Sequence, residues 1–135
     1  MKGIETFVFE HPLLGRLMGI RRNEDVVQFR GIPYGRIPLR FRQAVLVDAL
    51  LPAERDCTNY SYACPQIEQA LEPFGGPVPG ESLRSYDEFS CLNLTITAPT
   101  PGTGSLGATK LPVMVYTHGG GFAQGAHYGA VHGKQ

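Results

Sequence analysis

Near its end the chain has a short apolar run that leads almost directly into three consecutive glycines, and this feature constrains the fold most. The run covers residues 111–116, and the glycines are residues 119–121. A short, nearly continuous apolar segment is typical of a strand that is buried on both faces, as in the central sheet of an α/β protein. Glycine costs extra backbone entropy, so a plain loop would not favour three in succession. The sequence therefore predicts a central strand that ends in a loop with bare backbone N–H groups.

Other segments have the composition of strands and turns. The predicted strands are residues 6–9, 17–21, 26–32 and 92–98. In the last of them apolar residues alternate with polar ones, the period-2 pattern of a strand with one buried face. Residues 11–15 are predicted to form a turn and residues 65–71 a short helix. Residues 99–110, rich in Gly, Pro, Thr and Ser, are predicted to connect neighbouring strands over the surface.

Composition limits the size of the fold and excludes some classes of protein. A length of 135 residues suits one domain or a piece of one, and 17 glycines with 11 prolines predict many turns. No apolar run approaches the ~18 residues that a membrane-spanning helix needs. The formal net charge of +0 removes long-range attraction to nucleic acid, so we expect no nucleic-acid partner.

The charge is nevertheless uneven along the chain. Residues 16–42 contain seven arginines and two acidic residues, whereas residues 48–88 contain eight acidic residues and two arginines. One interpretation is an RNA-binding arm followed by an acidic tail. We favour the other, in which both segments meet in one fold and neutralise each other, because strand-like apolar residues separate the arginines.

The N-terminus does not have the pattern of a signal peptide. Glu5 interrupts it, and no apolar stretch of about 7–15 residues comes after it. The sequence as written therefore predicts an intracellular protein, and a leader missing from the N-terminus would make it a secreted one.

The glycine loop can be compared with two phosphate-binding patterns, and it fits neither. Gln124 stands where the dinucleotide pattern needs its last glycine, and Ala126 stands where a P-loop needs lysine. Two interpretations remain. One is a glycine-rich turn without a ligand. The other is an oxyanion hole, because His-Gly-Gly-Gly after a central strand is how esterases and lipases aim backbone N–H groups at a reacting oxygen.

Motifs elsewhere, taken in order, resemble the type-B carboxylesterase/lipase family, the cholinesterase-like group of α/β-hydrolases. They are Gly-Ile-Pro-Tyr-Gly at residues 31–35, Arg-Phe at 40–41, Cys-Pro-Gln at 64–66, Cys-Leu-Asn-Leu at 91–94 and the strand and glycine loop at 111–122. The resemblance covers about residues 7–125 and leaves 126–135 as an unmatched tail. It implies that residues 1–135 are one partial domain. The implied fold is the N-terminal portion of an α/β-hydrolase: small antiparallel strands plus the first strands of the central sheet.

The resemblance also implies roles for individual residues. Gly120 and Gly121 match the glycines whose amides face the oxyanion, supported by His118, Gly119 and Phe122. The implied substrate of the full-length enzyme is a small-molecule ester.

A disulfide between Cys64 and Cys91 is implied too, although both would stay thiols in a reducing compartment. The family usually has Ser-Glu-Asp before the second cysteine. Here Glu88 lies one position early, so either the acid has shifted or its salt bridge is lost.

The catalytic residues of such an enzyme are absent from this chain. No Gly-x-Ser-x-Gly nucleophile pattern occurs, and Ser82, in the nearest string, is followed by Arg84 instead of glycine. We expect none of His11, His127 and His132 to be the base. The chain is therefore predicted to be the N-terminal part of a serine carboxylic-ester hydrolase, inactive alone. The alternative is a non-catalytic, carboxylesterase-like interaction module or a pseudogene relic.

Three remaining features are predicted to be structural or incidental. Cys57 is expected to be a buried small hydrophobe, and no spacing of Cys and His makes a metal site, so we expect neither metal nor cofactor. Asn59 and Asn93 fit the N-glycosylation pattern, but we expect both to be chance matches. Asn93, in a predicted strand, would be a poor acceptor.

Overall fold

The computed structural model describes residues 5–66, 85–100, 111–121, 123, 125 and 126. These residues form a four-stranded antiparallel sheet, a two-stranded ribbon and one short 3₁₀ helix. In chain order the elements are β1 (Thr6–His11), β2 (Gly15–Arg21), β3 (Val26–Pro33), β4 (Gly35–Arg36), β5 (Val45–Leu46), the 3₁₀ helix Pro52–Arg55 and β6 (Asn93–Pro99). The large sheet has the order β1-β2-β3-β6, and β4 pairs with β5 in the ribbon.

The first hairpin depends on its turn. β1 and β2 pair antiparallel, with Phe9 opposite Leu17. The His11 side chain organises the turn between them, because its Nδ1 accepts the backbone N–H groups of Leu13 and Leu14 at 3.2 and 3.1 Å. The prediction of a turn at residues 11–15 is therefore confirmed, and His11 is a turn residue.

β3 contains an irregularity that explains the first glycine of the Gly-Ile-Pro-Tyr-Gly motif. The register with β6 shifts between Phe29 and Ile32, and Gly31 there has φ +64°. A Cβ on Gly31 would lie 3.0 Å from the carbonyl oxygen of Asn59. Both the left-handed backbone and the close approach favour glycine, so this part of the motif serves the fold.

The hydrophobic core lies against the sheet. Its buried members are Leu17, Val27, Phe29, Ile32, Leu50 and Cys57. Leu94 and Ala98 of β6 pack against them, as the alternating pattern predicts. The predicted strands at residues 6–9, 17–21, 26–32 and 92–98 are all confirmed, with ends that differ by at most two residues.

Ion pairs join the basic segment to the acidic one. Arg36 contacts both carboxylate oxygens of Glu54 at 2.6 and 2.7 Å, and this arginine holds the pKa of Glu54 below its usual value. The Nε of Arg40 donates to both carboxylate oxygens of Glu88, at 2.9 and 3.0 Å. The interpretation that the two segments meet in one fold is confirmed. Glu88 keeps a salt bridge although it lies one position early.

The fold class is confirmed only in part, and one predicted strand is wrong for this structure. Within the described ranges there is no α-helix. Of the helix predicted at residues 65–71, Pro65 and Gln66 are not helical, and residues 67–71 lie outside the described part. Residues 111–116 belong to no sheet among the described residues. Their side chains are exposed, including Val113 at 85% and Met114 at 92%. The physical reason is that a strand needs neighbouring backbone to bond with, and no described strand lies beside this run.

No helix in the described residues is long and apolar enough to cross a membrane.

Candidate functional site

The triple-glycine loop has a backbone that only glycine adopts easily. Gly120 has φ +127° and Gly121 has φ +62°. The amide of Ala123 donates to the carbonyl oxygen of Gly120 at 3.1 Å, which closes a turn. Within the described residues neither Gly120 nor Gly121 uses its own N–H group in a hydrogen bond. The loop therefore presents two adjacent backbone N–H groups to which no described residue is hydrogen bonded.

The histidine before the glycines is bound to its own loop. The Nδ1 atom of His118 lies 2.8 Å from the carbonyl oxygen of Gly119. A carbonyl oxygen can only accept, so Nδ1 carries the proton in this arrangement. His118 thus has a contact within the loop, and its role as a supporting residue stays a prediction. Phe122, the other predicted supporting side chain, lies outside the described residues.

A glutamine from a distant part of the chain holds the end of the loop. The side-chain oxygen of Gln66 accepts the N–H group of Gly125 at 2.8 Å, and its Nε2 donates to the carbonyl oxygen of Gly125 at 2.9 Å. The two residues are 59 positions apart. The Cys-Pro-Gln motif contains this residue, but its sequence gives no sign that the amide would pair with the glycine loop.

The same region brings the two predicted disulfide partners together. Ala63 forms a bridge with Tyr86, and its N–H group donates to the carbonyl oxygen of Ser85 at 2.9 Å. Cys64 and Cys91 are free thiols within hydrogen-bonding reach of each other. Burial, together with the neighbouring Cys64, raises the pKa of the Cys91 thiol to about 11. The two thiols therefore lie near each other, and a disulfide between them stays a prediction.

The asparagine of the second glycosylation pattern is part of this structure. Asn93 is buried, and its Nδ2 donates to the carbonyl oxygens of Tyr62 and Ser90 at 2.9 and 3.1 Å. An amide nitrogen that is buried and bonded in this way cannot carry a glycan in the folded protein, so the prediction of a poor acceptor is confirmed. Asn59, by contrast, is exposed.

Several other residues considered from the sequence lie outside the described part. They are Ser82, His127 and His132. The described residues contain no group of three or more His, Cys, Asp or Glu side chains that could hold a metal ion.

Comparison with known proteins identifies the family. The model of the carboxylesterase family matches residues 7–134, which extends nine residues past Gly125, where the motif resemblance ends. Lipase 1 of Yarrowia lipolytica is 39% identical over 122 residues, covering 89% of this chain and 23% of the lipase. Esterase cest-33 of Caenorhabditis elegans is 34% identical over 108 residues, which is 76% of this chain and 18% of the esterase.

A third relative is named neither a lipase nor an esterase. Neuroligin-2 of Rattus norvegicus is 32% identical over 155 aligned positions, covering 91% of this chain and 18% of neuroligin-2. No solved structure matches significantly. The chain spans about a fifth of the length of these relatives. Because the family model matches nearly its whole length, the chain belongs to the carboxylesterase family.

Proposed function

We propose that this chain is the N-terminal part of a serine carboxylic-ester hydrolase and supplies two backbone donors of its oxyanion hole. The observation that carries the proposal is the glycine loop, in which Gly120 and Gly121 adopt positive φ and keep free N–H groups among the described residues. Similarity to a lipase and an esterase supports the same reaction class. The substrate would be a small-molecule ester.

The chemistry assigned to the loop is electrostatic. A serine from the longer chain would attack the ester carbonyl carbon, and the amides of Gly120 and Gly121 would donate to the oxygen as it becomes negative. The alcohol leaves, an acyl-enzyme forms, and water then releases the acid. The 135 residues contain no nucleophile pattern, so the chain alone should not turn over.

The first experiment sequences the coding region downstream of Gln135 and assays both the longer and the 135-residue product with a nitrophenyl ester. We expect a Gly-x-Ser-x-Gly pattern within about a hundred codons, turnover by the longer product, and none by the 135-residue chain. Absence of that pattern would contradict the proposal. It would favour the alternative, a non-catalytic interaction module or relic.

A substitution in the longer product tests the role of the loop. Gly121→Ala places a side chain at φ +62°, which costs about 1–2 kcal/mol in the left-handed region and moves the amide. Because one oxyanion donor is worth about 10²–10³ in rate, we expect kcat to fall about 100-fold with little change in KM.

Gly119→Ala is the matched comparison. A Cβ there meets no atom within 4 Å, and Gly119 is not among the positive-φ glycines. If the N–H group of Gly121 stabilises the oxyanion, the loss of kcat in Gly119→Ala should be at least about tenfold smaller than the loss in Gly121→Ala. Equal losses for the two variants would argue against the assignment.

A further inference from the structure

A side chain from a distant part of the chain holds the glycine loop. Within the described residues, hydrogen bonds between the loop at 118–125 and residues 5–100 come from Gln66. Gln66 makes these bonds at the far end of the loop, at Gly125.

Gly125 lies directly against the residues at the start of the loop. It has φ +114°, and a Cβ on it would lie 2.5 Å from the carbonyl oxygen of Gly119 and 2.6 Å from Nδ1 of His118. The backbone of Gly125 is therefore packed directly against the residues that begin the triple glycine. A group that fixes Gly125 also restricts His118 and Gly119.

Gln66 is itself well anchored. Its Nε2 also donates to the carbonyl oxygen of Cys64 at 3.1 Å, and the residue before Cys64, Ala63, is bonded to Ser85 and Asp87. The backbone carbonyl of Tyr62 accepts the side chain of Asn93 at the start of β6. The backbone of residues 62–64 thus connects the hydrogen bond of Asn93 at the sheet with those of Gln66 at the glycine loop.

We propose that Gln66 is a positioning residue that sets the orientation of the oxyanion loop through its paired hydrogen bonds to Gly125. The proposal rests on the proposed function of that loop. It requires an amide, because one group must accept the N–H of Gly125 while another donates to its carbonyl oxygen. A carboxylate lacks the donor, and methionine, of similar length, lacks both.

The kinetic test uses the longer, active protein. Gln66→Met should lower kcat at least tenfold with KM within about twofold, because misplaced donors weaken transition-state binding and leave ground-state binding intact. Gln43→Met is the matched control, since Gln43 is exposed and has no hydrogen bond to the described residues of the loop, and it should match the wild type. Wild-type kcat in Gln66→Met would overturn the inference.

A second readout does not depend on catalysis. In the 135-residue chain, hydrogen exchange followed by mass spectrometry should show faster exchange of the segment containing Gly125 in Gln66→Met, and not in Gln43→Met. Gln66→Glu should exchange fast at neutral pH and regain protection below about pH 4, where a protonated carboxyl group both donates and accepts. A merely space-filling role would give no such pH-dependent rescue.

The two readouts separate this inference from the proposed function. If the longer wild-type protein has no esterase activity, the proposed function fails, and hydrogen exchange still decides whether Gln66 positions the loop. If the wild type is active but neither variant of Gln66 changes exchange or kcat, only the positioning role is wrong.

Discussion

At the scale of single residues, Cys57 shows how burial controls chemistry. It is completely buried in the core, and its Sγ lies 3.6 Å from the carbonyl oxygen of Glu54. Burial raises the pKa of the thiol from its ordinary value of 9.0 to about 11. A thiolate is the reactive form of cysteine, so the folded protein keeps Cys57 inert. The prediction of a buried small hydrophobe is confirmed.

The rate of alkylation measures the reactivity of the Cys57 thiol directly. With iodoacetamide at pH 8, we expect Cys57 to react at least about 100-fold more slowly than exposed Cys64 in the native chain, and at a similar rate in urea. Peptide mass spectrometry gives both rates from one sample, so Cys64 is an internal control. Comparable native rates would contradict the burial of Cys57.

Because the folded pKa is raised, the stability that the neutral thiol contributes is present below about pH 9 and lost as pH rises towards 11.

At the scale of elements, backbone pairing decides which cysteines meet. The bridge between Ala63 and Tyr86 and the side chain of Asn93 fix residues 62–64 beside the start of β6. Cys91 is brought to Cys64 as a consequence, while Cys57 points into the core. Three cysteines in a sequence allow three pairings, and spacing alone does not choose among them.

We therefore expect Cys64 and Cys91 to form a disulfide under oxidising conditions, leaving Cys57 as a thiol. Closing this 27-residue interval should stabilise the fold by roughly 3–4 kcal/mol, because it restricts the unfolded chain. Mass spectrometry of non-reduced peptides identifies the bond, and denaturation with and without reductant gives its contribution. Cys57→Ala should keep the bond and Cys91→Ser should abolish it. A bond that includes Cys57 would be evidence against this pairing.

At the scale of the whole molecule, we expect the exposed apolar run at residues 111–116 to govern behaviour in solution. Val113, Met114 and Val115 are 85, 92 and 83% exposed, and the run belongs to no strand of the described sheets. A contiguous run of exposed apolar side chains favours association with other chains. The sheet and its core lie elsewhere, so this liability is separate from the stability of β1–β3 and β6.

We expect the isolated chain to self-associate at micromolar concentrations, and Val113→Lys to reduce this without unfolding the sheet, because the side chain is exposed. Leu13→Lys is the matched control: Leu13 is 84% exposed in the β1–β2 turn and should not change association. Sedimentation velocity over a range of concentrations provides the measurement. A wild-type chain that stays monomeric and melts cooperatively would refute this expectation.

Most of the sheet could be predicted because its strands are short and have residues typical of strands. Composition predicted β1, β2 and β3, alternation of apolar and polar residues predicted β6, and the turn residues predicted the first hairpin. The failure at residues 111–116 has the opposite cause. An apolar run indicates that a segment is suited to burial. The neighbours that would bury this run are not among the described residues. Gln66 was missed for a related reason, since nothing local connects it with Gly125.

The sequence by itself determined the family, the positions of the strands along the chain and the presence of a glycine loop with potential donors, because these depend on residue type and spacing along the chain. Through the family resemblance it also implied the pairing of Cys64 with Cys91. Only the tertiary structure decided which acids Arg36 and Arg40 contact, and that Gln66 holds Gly125. These contacts join residues 18 to 59 positions apart. Such contacts depend on how the backbone folds back on itself, and patterns along the sequence do not contain that information.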